Sequence, residues 1–518
     1  MISRTTYRRI RSQFLAIRFA VSALLMTLVT AVVPSQQAAA ARPDIDLAVE
    51  RQMLIQLLDE GHYRRGIEET VRLEDLLRPQ RREPDYAVRM TALVEMLIYR
   101  GILQTRMGAI DDAETSLRDA YRRLTDRELQ RLAGQEGKAV LELLYIEIAD
   151  AVSQVTVDKI RRANETYRVR SDIELGRKPQ SSSGEDDLEA IPPASDVESW
   201  IKQLDELVQQ SFAARGAMGK NVSSLKSASD SPRVQLMATT ARPRMFAGIR
   251  EIEASKLPWT VADGFSEDGE QDAVSTSTNS SETTAQRLRS ASRQRSRGLA
   301  YLEQAKADQV DCLGEPELPV DERQSEATPP APAKPTIINF RTGTTVTGGS
   351  SSTSSQGNNT SSLAESASLH AELLECFAEA HFLERDLSAA RDAIDAALFL
   401  RRKARESEHP ELARPSILSA EIAMLEADTA LKSRNPRIAK EKTEHAVEGL
   451  QLAKTLLEAQ DSEFDPSSPL HDLLAHLLNT GEQQQEESRD AVAANDAADA
   501  AASRALSAIR RQEEASQR

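Results

Sequence analysis

Apolar residues recur at helical, three- and four-residue intervals along most of this chain. From Ile45 to about Gly176 the pattern predicts near-continuous helix, ending in a segment, 135–175, with Leu141, Tyr145, Ile148, Val152 and Val155 on one stripe. Gly176 to Asp196 is rich in turn formers. A short helix is expected next: Pro192-Pro193 stop what precedes, Ser195 with Glu198 makes a capping box, and Val197, Trp200, Ile201, Leu204, Leu207 and Val208 share a face. Residues 214–283 are weakly patterned and 284–310 read as helix again. The stretch 321–362 is Pro-rich, then Gly/Ser/Thr-rich; it buries too little apolar area to offset its ordering entropy, so disorder is expected, with strand character only in Thr336 to Phe340. Strong helical patterns return from Leu363 to about Asn479, and an Ala-rich tail follows. The expectation is an all-α chain. It divides into an N-terminal block (44–175), a linker with isolated helices (176–320), the low-complexity segment (321–362), a C-terminal block (363–480) and a helical tail (481–518).

Within the two blocks, small residues recur at spacings that suit close helix crossings. One run reads Leu97, Gly101, Gly108, Ala113, Leu117 and Ala120; others read Leu374, Phe377, Ala378, His381, Ala390, Ile394 and Ala397, and Ala423, Ala427, Ala430, Ala439, Thr443 and Ala446. A fainter run is Gly61, Tyr63, Gly66, Thr70 and Leu73. Gly66 and Ala113 lie 47 residues apart, and Ala390 and Ala439 lie 49 apart. With an offset of 326, Gly101 falls on Ala427 and Ala120 on Ala446, so a two-repeat block occurs twice. This spacing resembles the tetratricopeptide repeat (TPR). Pro84-Asp85-Tyr86-Ala87 and His409-Pro410-Glu411-Leu412-Ala413 resemble the start of its longer, kinesin-light-chain-type form. Arg100 and Gln104 depart from the family's pattern.

The resemblance implies antiparallel hairpins stacked as a solenoid, each burying its apolar face on a neighbour. It implies packing roles for Gly101, Gly108, Ala113, Ala120, Ala378, Ala390, Ala397, Ala427, Ala439 and Ala446. It also implies a concave groove lined by Glu372, Glu375, Glu379, Phe382 and Leu383 from one repeat and Glu421, Met424, Asp428, Leu431 and Lys432 from the next. Five acids against one Lys suit a cationic protein or peptide segment, with Phe382, Met424 and Leu431 giving apolar contact. The chain's own Arg287–Arg297 stretch, five Arg without an intervening acid, is a candidate occupant.

Charge and composition narrow the function further. The 518 residues carry a net charge of -16, which argues against nucleic-acid binding. Arg4, Arg8, Arg9, Arg11 and Arg18 precede an apolar run from Phe19 to Val33, Pro34 and the small residues Ala38 to Ala41; this is the pattern of a secretory signal over 1–41. Its removal leaves 60 basic against 81 acidic residues, and export to the periplasm, cell envelope or medium without stable membrane insertion is expected. Two cysteines make neither a disulfide framework nor a four-thiolate metal site; burial suits Cys376, and a bridge to Cys312 is the alternative. No phosphate-binding loop, dinucleotide fingerprint, nucleophile elbow or zinc helix motif occurs, so neither enzyme nor cofactor nor metal is expected. The expected function is protein or peptide binding by an exported scaffold. An enzyme with a site of scattered helix residues and a membrane-tethered spacer are the other two classes.

Overall fold

The computed structural model describes residues 46–78, 83–133, 135–174, 192–222, 239–256, 277–313, 357–404, 409–458 and 469–517. The signal-like segment, Thr336 to Phe340 and most of the low-complexity stretch lie outside these residues. The described residues form α1 (Leu47–Glu60), α2 (Tyr63–Leu77), α3 (Tyr86–Met107), α4 (Ile110–Leu124), α5 (Arg127–Leu132), α6 (Gln135–Glu174) and α7 (Ala194–Val222). After them come α8 (Ala241–Ala254), α9 (Ser277–Leu313), α10 (Gly357–Leu383), α11 (Leu387–Ala404), α12 (Ala413–Lys432), α13 (Pro436–Glu458) and α14 (Pro469–Gln517), with a 3-10 turn at Pro410–Leu412. Among these residues there is no strand, and the helices pack in succession as antiparallel hairpins of an all-α solenoid.

Four hairpins close with the same turn. Gly61, Gly108, Arg385 and Arg434 are left-handed, with φ of 79°, 84°, 66° and 59°. The next residue's N–H then reaches five residues back: His62 to Leu57, Ala109 to Gln104, Asp386 to His381 and Asn435 to Ala430. That bond closes a helix whose last residue turns left-handed, and it satisfies a carbonyl the helix leaves open. Five residues after each turn stands a small buried residue, Gly66, Ala113, Ala390 or Ala439. The two helices cross closely at these levels: a Cβ on Gly66 would lie 2.8 Å from Leu103 Cδ1, and one on Gly101 would lie 2.6 Å from Leu117 Cγ. Nine of the ten expected packing residues are buried, and the tenth, Gly108, supplies a left-handed turn.

The segment 176–320 differs from expectation. Its helices do not stand isolated. Val197, Leu204 and Val208 of α7, Met245, Phe246 and Ile252 of α8 and Leu302 of α9 share one core with Val157 and Ile160 of α6 and Leu373 and Phe377 of α10. Arg215 of α7 pairs with Asp150 of α6 at 2.7 Å, the two side chains only 1% and 7% exposed. The weak pattern around α8 has a physical cause, since buried positions ring this helix, including Gly248, Glu251 and Glu253, and no polar face marks it. Gly248 meets α9 so closely that a Cβ there would sit 3.0 Å from the carbonyl of Gly298. α10 begins at Gly357, inside the stretch expected to be disordered. The cysteines are free; Cys376 is buried, and burial pushes its thiol up to about 12.

The two blocks also touch directly. The Tyr63 ring meets His409 edge-on at 6.5 Å, Arg106 of α3 reaches Glu411 at 3.3 Å, and α14 packs against α6.

Candidate protein-binding face

The acids expected to line a groove lie on α10 and α12, and side chains from the C-terminal half of α6 reach both helices. α6 carries Asp158, Arg161, Glu165 and Arg168, spaced three, four and three residues apart, which places them on one helix face. Arg161 pairs with Glu379 of α10 at 3.2 Å, and Arg168 pairs with Glu421 of α12. Arg414, in the first turn of α12, answers in the opposite sense, reaching Glu165 at 2.7 Å and Asp158 at 3.8 Å. Two of the groove acids are therefore already paired with arginines of a helical segment of mixed charge that the chain itself supplies.

Around Glu379 the pairing becomes a buried network. Lys256, just past α8, contacts both Glu379 and Glu253. Glu253 is 0% exposed and is also held by Arg161 at 3.0 Å and by the Asn164 amide at 2.8 Å. Burial works to raise the Glu379 carboxyl, but Lys256 and Arg161 outweigh it and hold the group at about 2. Asp158 and Glu165 show the opposite balance, because burial pushes both above the usual carboxylate values despite Arg414. A second cluster lies nearby: Arg401 of α11 bridges Glu375 at 2.7 Å and Glu411 at 3.0 Å, and Arg106 reaches Glu372 at 3.6 Å. Attraction to Glu411 raises the Arg106 guanidinium above its ordinary value.

The other expected groove residues are dispersed. Met424 does not line an open surface; it belongs to the C-terminal core, where α14 covers it and a Cβ on Gly481 would lie 3.9 Å from its sulfur. Phe382 is half-buried against that core, Leu383 is half-buried against the central one, and Leu431 is half-buried. Asp428 remains partly open at 37% and pairs locally with Lys432. In the Arg287–Arg297 stretch, the described ion pairs are not with the groove acids. Its Arg295 is buried on Glu384, immediately after α10, and Arg297 reaches Glu251 on α8.

Sequence reasoning thus found the acids and missed their cations, Arg161, Arg168, Lys256, Arg401 and Arg106. The available signal was the charged 3-4-3 spacing on α6 beside the apolar Val157 and Ile160. Among the described residues no cluster of His, Cys, Asp and Glu is arranged to hold a metal, and no helix is long and apolar enough to cross a membrane. No protein-family model matches the chain, and no curated protein matches it either.

Proposed function

We propose that this chain is an exported scaffold of TPR-type hairpins that binds protein or peptide segments carrying positive charge. Support for the repeat type comes from the four equivalent turns, each five residues before a small crossing residue. The observation that carries the binding chemistry is the pairing of Arg161 and Arg168 of α6 with Glu379 and Glu421. The arginines of α6 show that these acids accept cationic side chains from a helix, and Val157 and Ile160 of the same helix add apolar contact. A partner's cationic segment would use the acids at the margin of this face, Glu372 and Asp428, whose side chains are 19% and 37% exposed. Each such pair is weak alone, so binding should depend on several and fall with salt.

Cross-linking in the native envelope, followed by affinity capture of the chain, tests this reading. Partner cross-links should map to the α10–α12 margin and disappear in a Glu372→Lys/Asp428→Lys variant of unchanged circular dichroism. Cross-links retained in that variant would contradict it. N-terminal sequencing of the captured chain should begin at Arg42, the first residue after the signal-like segment.

A further inference from the structure

One register runs through the second helices of the hairpins, and it extends to a helix outside the two blocks. Buried residues follow the crossing residue Ala113 at intervals of four, seven and eleven, as Leu117, Ala120 and Leu124, and the same intervals hold after Gly66, Ala390 and Ala439. α9 repeats them with Gly298, Leu302, Ala305 and Gln309. A Cβ on Gly248 of α8 would lie 2.9 Å from Leu302 Cγ, the counterpart of the Gly101–Leu117 approach. α8 and α9 are therefore a further hairpin of this kind. Five residues before its crossing residue stands Arg293. The position filled by Gly61 and Gly108 in the first block is thus arginine in three successive hairpins, as Arg293, Arg385 and Arg434.

Ion pairs set these ends of the three hairpins side by side. Arg295 reaches Glu384, the neighbour of Arg385, at 2.7 Å, and Arg391 of α11 and Lys442 of α13 meet on Glu426 of α12 at 2.7 and 2.9 Å. Arg293, Arg385 and Arg434 are exposed, as is Arg289 one turn further along α9, and none of them has an ion-pair partner among the described residues. The acids nearby are already engaged: Glu384 by Arg295, Asp428 by Lys432, and Asp386 as the cap that accepts from the Ala389 N–H at 3.2 Å. Arg385 and Arg434 also hold a left-handed backbone that glycine adopts without strain, and no contact among the described residues accounts for arginine there. An exposed row of guanidiniums in a chain of net charge -16 suits carboxylates, which arginine grips with two parallel hydrogen bonds. A flat anionic membrane suits it less, because the same edge of the first block carries acids after its glycine turn, Asp111 among them at 98% exposure. We propose that the turn edge of α8–α9, α10–α11 and α12–α13 binds a partner protein through an acidic segment. This surface is separate from the acids of α10 and α12 and opposite to them in charge.

Fluorescence anisotropy of a labelled dodecamer of glutamate, titrated with the full chain, tests this. The parent should bind the peptide, and more weakly as salt rises. Arg385→Gly/Arg434→Gly should raise the dissociation constant by at least about tenfold. Its melting midpoint should stay at or above the parent's, which separates lost binding from lost folding. Arg293→Glu should weaken binding too, whereas Arg402→Ala, exposed at the far end of α11, should not. Phosphatidylglycerol vesicles should not capture the parent in flotation. No peptide binding by the parent, undiminished binding by Arg385→Gly/Arg434→Gly, or vesicle capture that this variant loses would each overturn the proposal.

Discussion

Alanine at Gly101 should destabilise the N-terminal block, although alanine is the better helix former. A Cβ built there stands 2.6 Å from Leu117 Cγ and 2.7 Å from its Cδ2. Leu117 is 0% exposed, and the nearest atom is its branch point, so turning the terminal methyls does not clear the clash. Overpacking of this kind costs about 1–3 kcal/mol, and the helix-propensity gain of about 1 kcal/mol offsets only part of it. The net loss expected is about 1–2 kcal/mol. Gly216 gives the control: it is exposed on α7 with nothing within 4 Å of a built Cβ, so alanine there should gain about 1 kcal/mol. A double-mutant cycle sharpens the test. Leu117→Ala alone should cost about 2–5 kcal/mol through its cavity, but it also removes the atoms that the new methyl of Gly101→Ala would strike. The double variant should therefore lose less than the sum by at least about 1 kcal/mol. Urea denaturation followed by circular dichroism reads all four variants. A Gly101→Ala midpoint at or above the parent's, or an additive cycle, would refute the close-crossing argument.

Arg385 and Arg434 hold left-handed turns that glycine fills in the other two hairpins, so Arg385→Gly and Arg434→Gly should each stabilise by about 0.5–1 kcal/mol in thermal melts, while Gly108→Ala should destabilise by about 1 kcal/mol. Glu379→Gln should cost about 1.5–3 kcal/mol at neutral pH, less than a fully orphaned charge, because Glu253 still faces Arg161 and Lys256. Glu379 is held at about 2 against an ordinary 4.5, so its stabilising effect is full above about 4.5 and is lost as the pH falls toward 2. Asp158 and Glu165, raised by burial, have the reverse sign: they oppose folding at neutral pH and cease to do so as acid protonates them. Urea midpoints against pH should consequently show a steep loss below about 4.5 in the parent and a shallower one in Glu379→Gln.

The small crossing residues were legible in the sequence because their spacing is local, whereas the left-handed turns at Arg385 and Arg434 were not, since arginine carries no signal for that conformation. The helical character of α6 and the apolar start of α14 were equally local, resting on stripes such as Leu141–Ile148–Val155 and Leu473–Leu474–Leu477. Packing of α7, α8 and α9 was not legible. α8 is buried around most of its circumference, so it lacks the polar face that periodicity detects. The candidate face was half legible for the same kind of reason. Its acids follow from repeat positions on α10 and α12, but Arg161 lies 218 residues from Glu379, and no spacing rule connects them. Met424 shows the limit of carrying a groove position over by register: it has the right place on α12, but α14 closes over it.

Through its ion pairs to α10 and α12, α6 joins both blocks into one body. The most direct measurement is to insert a specific protease site between residues 321 and 356, cut the chain there and run the products on a sizing column. The two fragments should co-elute at the size of the uncut protein, held by Arg161–Glu379, Arg168–Glu421 and the core shared by α6, α8, α9 and α10. Arg161→Glu with Arg168→Glu should loosen them. Fragments of the parent that elute separately would contradict the claim.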